Sequence, residues 1–299
     1  MPNNEEEPVS AYEFATLDLH MHTRASDGTN TPEELLQRVR EAGIELFAVT
    51  DHDAVHGCER VISALRDGDP HFLTGVEFSC EDERGKYHIL GYGYDLAAGP
   101  INAAVEAAHD LRMRKVTTRL EILTREFGFE FPPEEIEALL ANDNPGKPHI
   151  GNLMVKLGYA ESKDTAIRTY LNKIQTNLSH TRPETAIAAI LGSGGIPILA
   201  HPAYGDGDDL IVGPAMEERL RYLMDRGIQG VEAYYRGFTE EIRRELLGYA
   251  SRYDLFVTAG SDYHGTNKPN RLGDTGLGDV SEAHAGLHRF LEACANRII

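Results

Sequence analysis

Histidines and carboxylates recur in this chain at spacings that suit metal coordination. Asp18-Leu19-His20-Met21-His22-Thr23 places two imidazoles two residues apart at the end of a short apolar run. On a strand, side chains at i and i+2 share a face, so both rings can point into one mouth. Thr50-Asp51-His52, Gly75-Val76-Glu77, Tyr87-His88, Ala200-His201-Pro202 and Gly260-Ser261-Asp262-Tyr263-His264 follow along the chain. His52, His201 and the Asp262-x-His264 pair each come directly after an apolar run, where a strand ordinarily gives way to a neutral turn. Glu77 closes a short strand, and His88 lies eleven residues on, in a hairpin-like segment that can return beside it. Asp27, in Ser26-Asp27-Gly28, occupies the loop after the first pair and can fold back over it. Singly, H-x-H is an ordinary pair of histidines and Asp27 an ordinary turn residue. A buried carboxylate, however, is costly unless paired or metal-bound, and the accumulation predicts a metal centre.

The donor set bears on the metal. Six imidazoles and three carboxylates, with no thiolate, favour Mn, Fe or Zn over a structural zinc site or an all-oxygen calcium cage. One ion uses about four to six ligands, so nine imply two to three divalent transition-metal ions. Paired ions can activate a bridging water and polarise a phosphoryl group.

At 299 residues the chain suits one large α/β barrel or two ordinary domains, and 41% hydrophobic content can bury a sizeable core. No apolar run reaches the length of a membrane helix, and the acidic start (Glu5, Glu6, Glu7) is unlike a signal peptide; a cytoplasmic protein that does not engage membrane is expected. Cys58, Cys80 and Cys294 are odd in number and far apart, which points to plain thiols rather than disulfides or a zinc ribbon. A net charge of −19 opposes binding to long nucleic acid, although bound cations would still allow a small phosphorylated substrate.

The elements that must position these residues are legible in part. After a patternless leader of a dozen residues, apolar runs at Thr16–His20, Ile44–Thr50, Phe72–Val76, Lys86–Tyr94, Ile196–Ala200, Val231-Glu232 and Leu255–Ala259 read as about seven strands. Helix, glycine stop and apolar strand recur in alternation, which argues for a parallel sheet with its reactive groups at the C-terminal strand ends. Thr31-Pro32-Glu33-Glu34 is a capping box opening a helix that stops before Gly43, and Thr181-Arg182-Pro183-Glu184 has the same pattern. Between them the rhythm breaks. Ile101, Val105, Ala108, Leu111, Val116, Leu120, Leu123 and Phe127 mark one long amphipathic helix, followed by shorter ones near Glu134–Leu140, His149–Leu157 and Lys163–Leu171. A last helix starts near Ser281. The division expected is barrel over 1–98, helical insertion over 99–180 as a substrate cap, and barrel again over 181–299.

Order, spacing and flanks of these motifs together resemble the PHP (polymerase and histidinol phosphatase) family, in its small-molecule phosphoesterase branch, over nearly the whole chain. The resemblance implies a distorted seven-stranded (β/α) TIM-like barrel around a trinuclear centre. Its ligands would be His20, His22, Asp27, His52, Glu77, His88, His201, Asp262 and His264, with Asp51 and Glu232 behind them. Gly146-Lys147-Pro148-His149-Ile150 is similar to the family's Gly-Arg-Pro-His-Ile segment, with lysine in place of arginine.

Arg112, Lys115 and Arg119 fall at i, i+3 and i+7 of the long helix, forming a basic stripe suited to phosphate oxygens remote from the metals, or else a solvated face. Lys147, His149 and Arg182 are further substrate-binding candidates. The function expected is hydrolysis of small phosphate esters (phosphomonoesters, nucleoside bisphosphates or small cyclic phosphodiesters) by a metal-bridging hydroxide, with His201, Asp51 or a metal-bound water as proton donor. The alternatives are a 5'-3' exonuclease or oligoribonuclease acting on short nucleic acids, and a non-catalytic metal-binding module. Gly192–Gly195 lacks the G-x-x-x-x-G-K-[ST] pattern of a P-loop and reads as a helix-to-strand turn.

Overall fold

The computed structural model of the protein describes residues 14–205 and 210–299; the leader of the first dozen residues lies outside them. Seven strands form one sheet in chain order: β1 (Leu17–Asp18), β2 (Leu46–Val49), β3 (His71–Asp82), β4 (Gly85–Tyr92), β5 (Ile196–Leu199), β6 (Gly230–Tyr235) and β7 (Phe256–Gly260). The edges come together where Leu19 N donates to Ala259 O at 3.0 Å and Met21 bridges Tyr263 in parallel. The result is a nearly closed α/β barrel. β2, β5 and β6 are buried along their whole length, as expected of strands covered on both faces, which is why they read as apolar runs without alternation.

The purely parallel sheet suggested by the helix–strand rhythm needs one correction. β4 runs antiparallel to both β3 and β5. The cause is local: Glu83 and Arg84 alone connect β3 to β4, and a two-residue connection can join only antiparallel strands. β3 is also longer than its apolar run, continuing to Asp82 against the returning β4.

Helices α1 (Pro32–Ala42), α2 (His56–Ala64), α7 (Pro183–Gly192), α8 (Pro214–Met224), α9 (Glu240–Tyr253) and α10 (Ala285–Cys294) accompany the strands. α1 opens on the expected capping box: Glu34 N donates to Thr31 Oγ1 at 3.2 Å, and Thr31 N donates to Glu34 Oε2 at 2.8 Å. It stops at left-handed Gly43. The second capping box does not form. Thr181 is drawn into a bridge with Cys80, so α7 starts from Arg182 with Pro183 in its first turn. Similarly, Ser281 lies in a short 3-10 turn ahead of α10.

The long helix is present as α3 (Gly99–Phe127), followed by α4 (Pro133–Leu140), α5 (Lys147–Lys156), α6 (Lys163–Ala166) and a π-helical turn, Ile167–Leu171. Val116, Leu120 and Leu123 of α3 pack with Leu139, Ile150 and Met154 into an apolar cluster distinct from the barrel's. All three cysteines are free and buried. No described helix is long and apolar enough to cross a membrane.

Tyr92 shows how β4 supports the first histidine pair. It is fully buried, meets Phe290 edge-on, and its hydroxyl donates to Leu19 O at 2.8 Å, one residue before His20. Tyr92→Phe leaves that carbonyl without its partner, so unfolding measurements should show a loss of about 1–3 kcal/mol.

Candidate metal centre

Two parallel bridges assemble the centre. The bridge between Met21 and Tyr263 sets His20-x-His22 beside Asp262-x-His264 on one face, with the rings of His22 and His264 stacked at 3.9 Å. The bridge between His52 and Glu77 holds the loop after β2 against β3 at the same place. β4 returns antiparallel along β3, which places His88, the fourth of its eight residues, opposite Ser79 and beside Glu77. His201 follows β5.

Fully buried Glu77 is the hub. Its Oε2 lies 3.1 Å from His20 Nε2, 3.1 Å from His22 Nε2 and 3.2 Å from His52 Nδ1. Its Oε1 lies 2.8 Å from His88 Nδ1 and 3.1 Å from His201 Nε2. Burial alone would raise this carboxyl's pKa, whereas imidazolium charge on His52, His20 and His88 would hold it well below the usual range. Asp262 is likewise held low against burial, by Lys268 and His264. Three groups have donor atoms all within 4.8 Å of one another: His20, His22, Glu77, Asp262; His22, Asp27, His52, His264; and His52, Glu77, His88.

Hydrogen-bond accounting tests whether metal fits. His20 Nδ1 is 2.9 Å from Glu232 Oε1, an acceptor, so that nitrogen carries the proton; a neutral ring then aims the Nε2 lone pair at Glu77 Oε2. His264 repeats the arrangement, with Nδ1 donating to Asp262 O at 2.9 Å and Nε2 facing Asp27 Oδ1 at 3.1 Å. Acceptor faces acceptor in both places. His20 Nε2, His22 Nε2, Asp27 Oδ1, His52 Nδ1, Glu77 Oε2 and His264 Nε2 are all buried without a hydrogen-bond partner. Divalent cations satisfy such atoms, whereas charging every ring would crowd imidazolium ions together.

A second layer orients these donors. Glu232 is fully buried, and its other oxygen accepts from His201 N at 2.8 Å. Tyr235 OH and Lys268 Nζ donate to Asp262 Oδ2 at 3.0 and 2.7 Å. Asp18 accepts from Ser261 N at 2.9 Å and Gly273 N at 2.8 Å, while burial pushes its pKa up to about 6. Asp262 (φ 55°) and His201 (φ 25°) have the left-handed backbone that non-glycine residues adopt at a cost, a strain typical of functional sites. Gly260 must be glycine, because a Cβ there would meet His20 Cβ at 2.2 Å.

Asp51 is not placed to donate a proton. Its buried carboxylate accepts from Thr23 N (2.7 Å), Thr23 Oγ1 (2.6 Å) and Ser26 Oγ (2.7 Å), which fastens the loop carrying Asp27. His201 remains at the mouth.

Beside the centre lies a cavity of about 790 Å³ lined by Asp27, His52 and His88 on the barrel side and by Arg112, Lys115, Arg119 and Lys147 opposite. The stripe is buried at Lys115 and Arg119, so it is no solvated face. Arg112 is engaged with Asp53 and donates to Ser79 Oγ at 3.1 Å. Lys115 and Arg119 form no ion pair with a described carboxylate; burial, then the Arg119 charge, lowers the Lys115 pKa to about 7. Lys147 Nζ donates to Asn172 Oδ1 at 2.7 Å. His149 accepts from Gly146 N at 3.1 Å, behind the cavity wall. Arg182 is not brought in: it is exposed and pairs with Glu83 and Glu184 at 3.0 and 2.8 Å. His180, which stood out in no motif, lines the cavity, its pKa lowered to about 2 by burial and then by Lys115. Lys268 and Asp53 carried no pattern either.

Glu232→Gln keeps the volume but weakens the anchor that sets the His20 tautomer. Metal affinity, measured by chelator competition, should fall about 10- to 100-fold.

The sequence profile of the PHP domain matches residues 18–175. A 3',5'-nucleoside bisphosphate phosphatase of Chromobacterium violaceum is 30% identical over 273 residues, covering 86% of this chain and 90% of that protein. A 5'-3' exoribonuclease of Haemophilus influenzae is 28% identical, covering 83% and 89%. Among solved structures, one from Bifidobacterium adolescentis described as a metal-dependent phosphoesterase superposes with a TM-score of 0.80 at 30% identity, covering 93% of this chain and 96% of that one. A profile match over more than half of the chain, joined to a 30% identical relative aligned along most of both proteins, means that this chain belongs to the PHP domain family.

Proposed function

We propose that this protein is a metal-dependent phosphoesterase hydrolysing small phosphate esters, with His20, His22, Asp27, His52, Glu77, His88, His201, Asp262 and His264 holding two to three ions drawn from Mn, Fe and Zn. The observation that carries the reading is the buried set of atoms around Glu77 without hydrogen-bond partners, opening onto a cavity whose far wall holds Lys115 and Arg119, which form no ion pair with a described carboxylate. Divalent ions held there supply Lewis-acid polarisation of a phosphoryl group and acidification of water. The chain does the rest. Glu232 and Lys268 orient His20 and Asp262. Lys115 and Arg119 hold an anionic group of the substrate remote from the scissile phosphate, while Arg112, bound to Asp53, shapes the wall between. With Asp51 set aside, the proton donor is His201 or water acidified by the ions. Helices 99–180 act as the substrate cap. The substrate class favoured is doubly anionic, such as a nucleoside bisphosphate, since one phosphate leaves the basic wall unused; small cyclic phosphodiesters and monoesters remain within the class.

A nuclease acting on short nucleic acids would use the same centre, and the exoribonuclease relative favours it as the second reading. The chain's net charge of −19 disfavours gripping a long polyanion.

The test is hydrolysis by the metal-replete protein of bisphosphates, cyclic phosphodiesters, aryl phosphates and short oligonucleotides, read as phosphate release for the monoesters and by chromatography of the products for the diesters and oligonucleotides, with elemental analysis alongside. Two to three ions per chain and preference for the bisphosphate are expected. A protein holding those ions that hydrolyses none of them overturns the proposal.

Lys115 gives a pH signature. A bound anion favours the protonated amine, whose pKa in the free protein is lowered to about 7 by burial. Affinity is therefore full below that pH and lost as pH rises through it. KM for a bisphosphate should climb between about pH 7 and 9 while KM for an aryl phosphate stays flat, and Lys115→Met should abolish the difference. Arg119→Ala should raise the bisphosphate KM roughly ten- to hundred-fold with kcat near the parent value.

A further inference from the structure

The donors of the centre differ in what supports them. His20, Glu77, His88 and Asp262 stand on strands or their immediate ends, whereas Asp27 and His52 stand in the loops after β1 and β2, and both belong to the group His22, Asp27, His52, His264. The two loops are gripped from outside the barrel. Asn144, in the turn between α4 and α5, is fully buried and its Nδ2 donates to the carbonyl of His52. Its Oδ1 has no partner among the described residues, so its burial is costly and needs a compensating role. On the other side Asn267 Nδ2 donates to the Asp27 carbonyl at 2.7 Å, and the carbonyl of Asn267 accepts from Lys163 Nζ, at the start of α6. The helical segment thus reaches one member of this group directly and another through Asn267.

We infer that Asn144 and Lys163 are positioning residues that clasp the His52 and Asp27 loops, so that the segment lining the substrate cavity also sets how tightly one particular ion, the one offered His22, Asp27, His52 and His264, is retained. The inference rests on the ligand reading proposed above. The other two groups draw on strand residues and depend on the clasp less, His52 being shared with one of them. One ion is therefore the labile one, and its retention is a property of helices remote in sequence from most of its ligands.

The test uses the full-length, metal-loaded protein. Asn144→Ala and Lys163→Met are each dialysed against a weak chelator, and the ions remaining are counted by elemental analysis. Each variant should release one ion per chain about tenfold faster than the parent while keeping the rest, and Lys163→Arg should restore retention. Thermal unfolding of the fully chelated proteins is followed in parallel, since a merely structural defect lowers it without selective release. Parental retention in both variants, or loss of all ions together, overturns the clasp. Asp27→Asn separates the two ideas: it should lose the same single ion. If it keeps every ion, the ligand reading falls and takes the clasp with it; if it loses one while both clasp variants keep all, the clasp alone fails.

Discussion

The centre depends on a carboxylate that could not stand where it does without positive charge around it. Glu77 is wholly buried and touched by five imidazole nitrogens, among which His20, fixed by Glu232, presents a lone pair. Desolvating an ionised carboxylate costs several kcal/mol unless opposite charge compensates it. Cations held by Glu77 and the rings would supply that compensation without charging every imidazole, so metal binding and the stability of the barrel mouth would be linked. That also explains the density of outer contacts: every donor must be aimed before the ion arrives, and Glu232, Tyr235, Lys268 and the glycine at 260 do the aiming.

Barrel topology makes this arrangement possible from scattered sequence. Met21 beside Tyr263 and His52 beside Glu77 are single bridges that carry pairing past the ends of β1, β7 and β2, yet each fixes the side chains flanking it. The reversal of β4 matters for the same reason. His88, the fourth of eight residues in β4, pairs with Ser79 as β4 returns antiparallel along β3, and so meets Glu77 Oε1 at 2.8 Å.

Sequence reading reached the centre because strands buried on both faces appear as apolar runs, and a histidine or carboxylate at the end of each is conspicuous. It also found the long helix, whose period is strong, and the capping box at Thr31. What it missed depends on contacts between distant segments. Thr181 carries the same local signal as Thr31 but is taken by Cys80, a hundred and one positions earlier in number. Asp51 sits beside a metal-facing histidine and is indistinguishable by position from a catalytic acid until Thr23 and Ser26 are seen to occupy it. Arg112, Lys115 and Arg119 are equivalent on a helical wheel, yet Asp53 singles out the first. Lys268 and His180 belong to loops with no periodicity, so nothing in the sequence marked them.

The charge pattern brings these levels together. Twenty-nine basic residues against forty-eight acidic ones would repel phosphate from most of the surface, so recognition has to be local. On the proposed function, ions at the barrel mouth would face Lys115 and Arg119 of α3 across the cavity. Their burial is unfavourable in the free protein, as the lowered Lys115 pKa records, and an anion between them relieves it. If the proposed function holds, a site with such poles at both ends would discriminate by requiring negative charge at each. A substrate with one phosphate would engage the ions and leave Lys115 and Arg119 buried without a carboxylate partner among the described residues, whereas one with two would satisfy both. Specificity of this kind comes from the penalty left behind by the wrong ligand as much as from contacts with the right one.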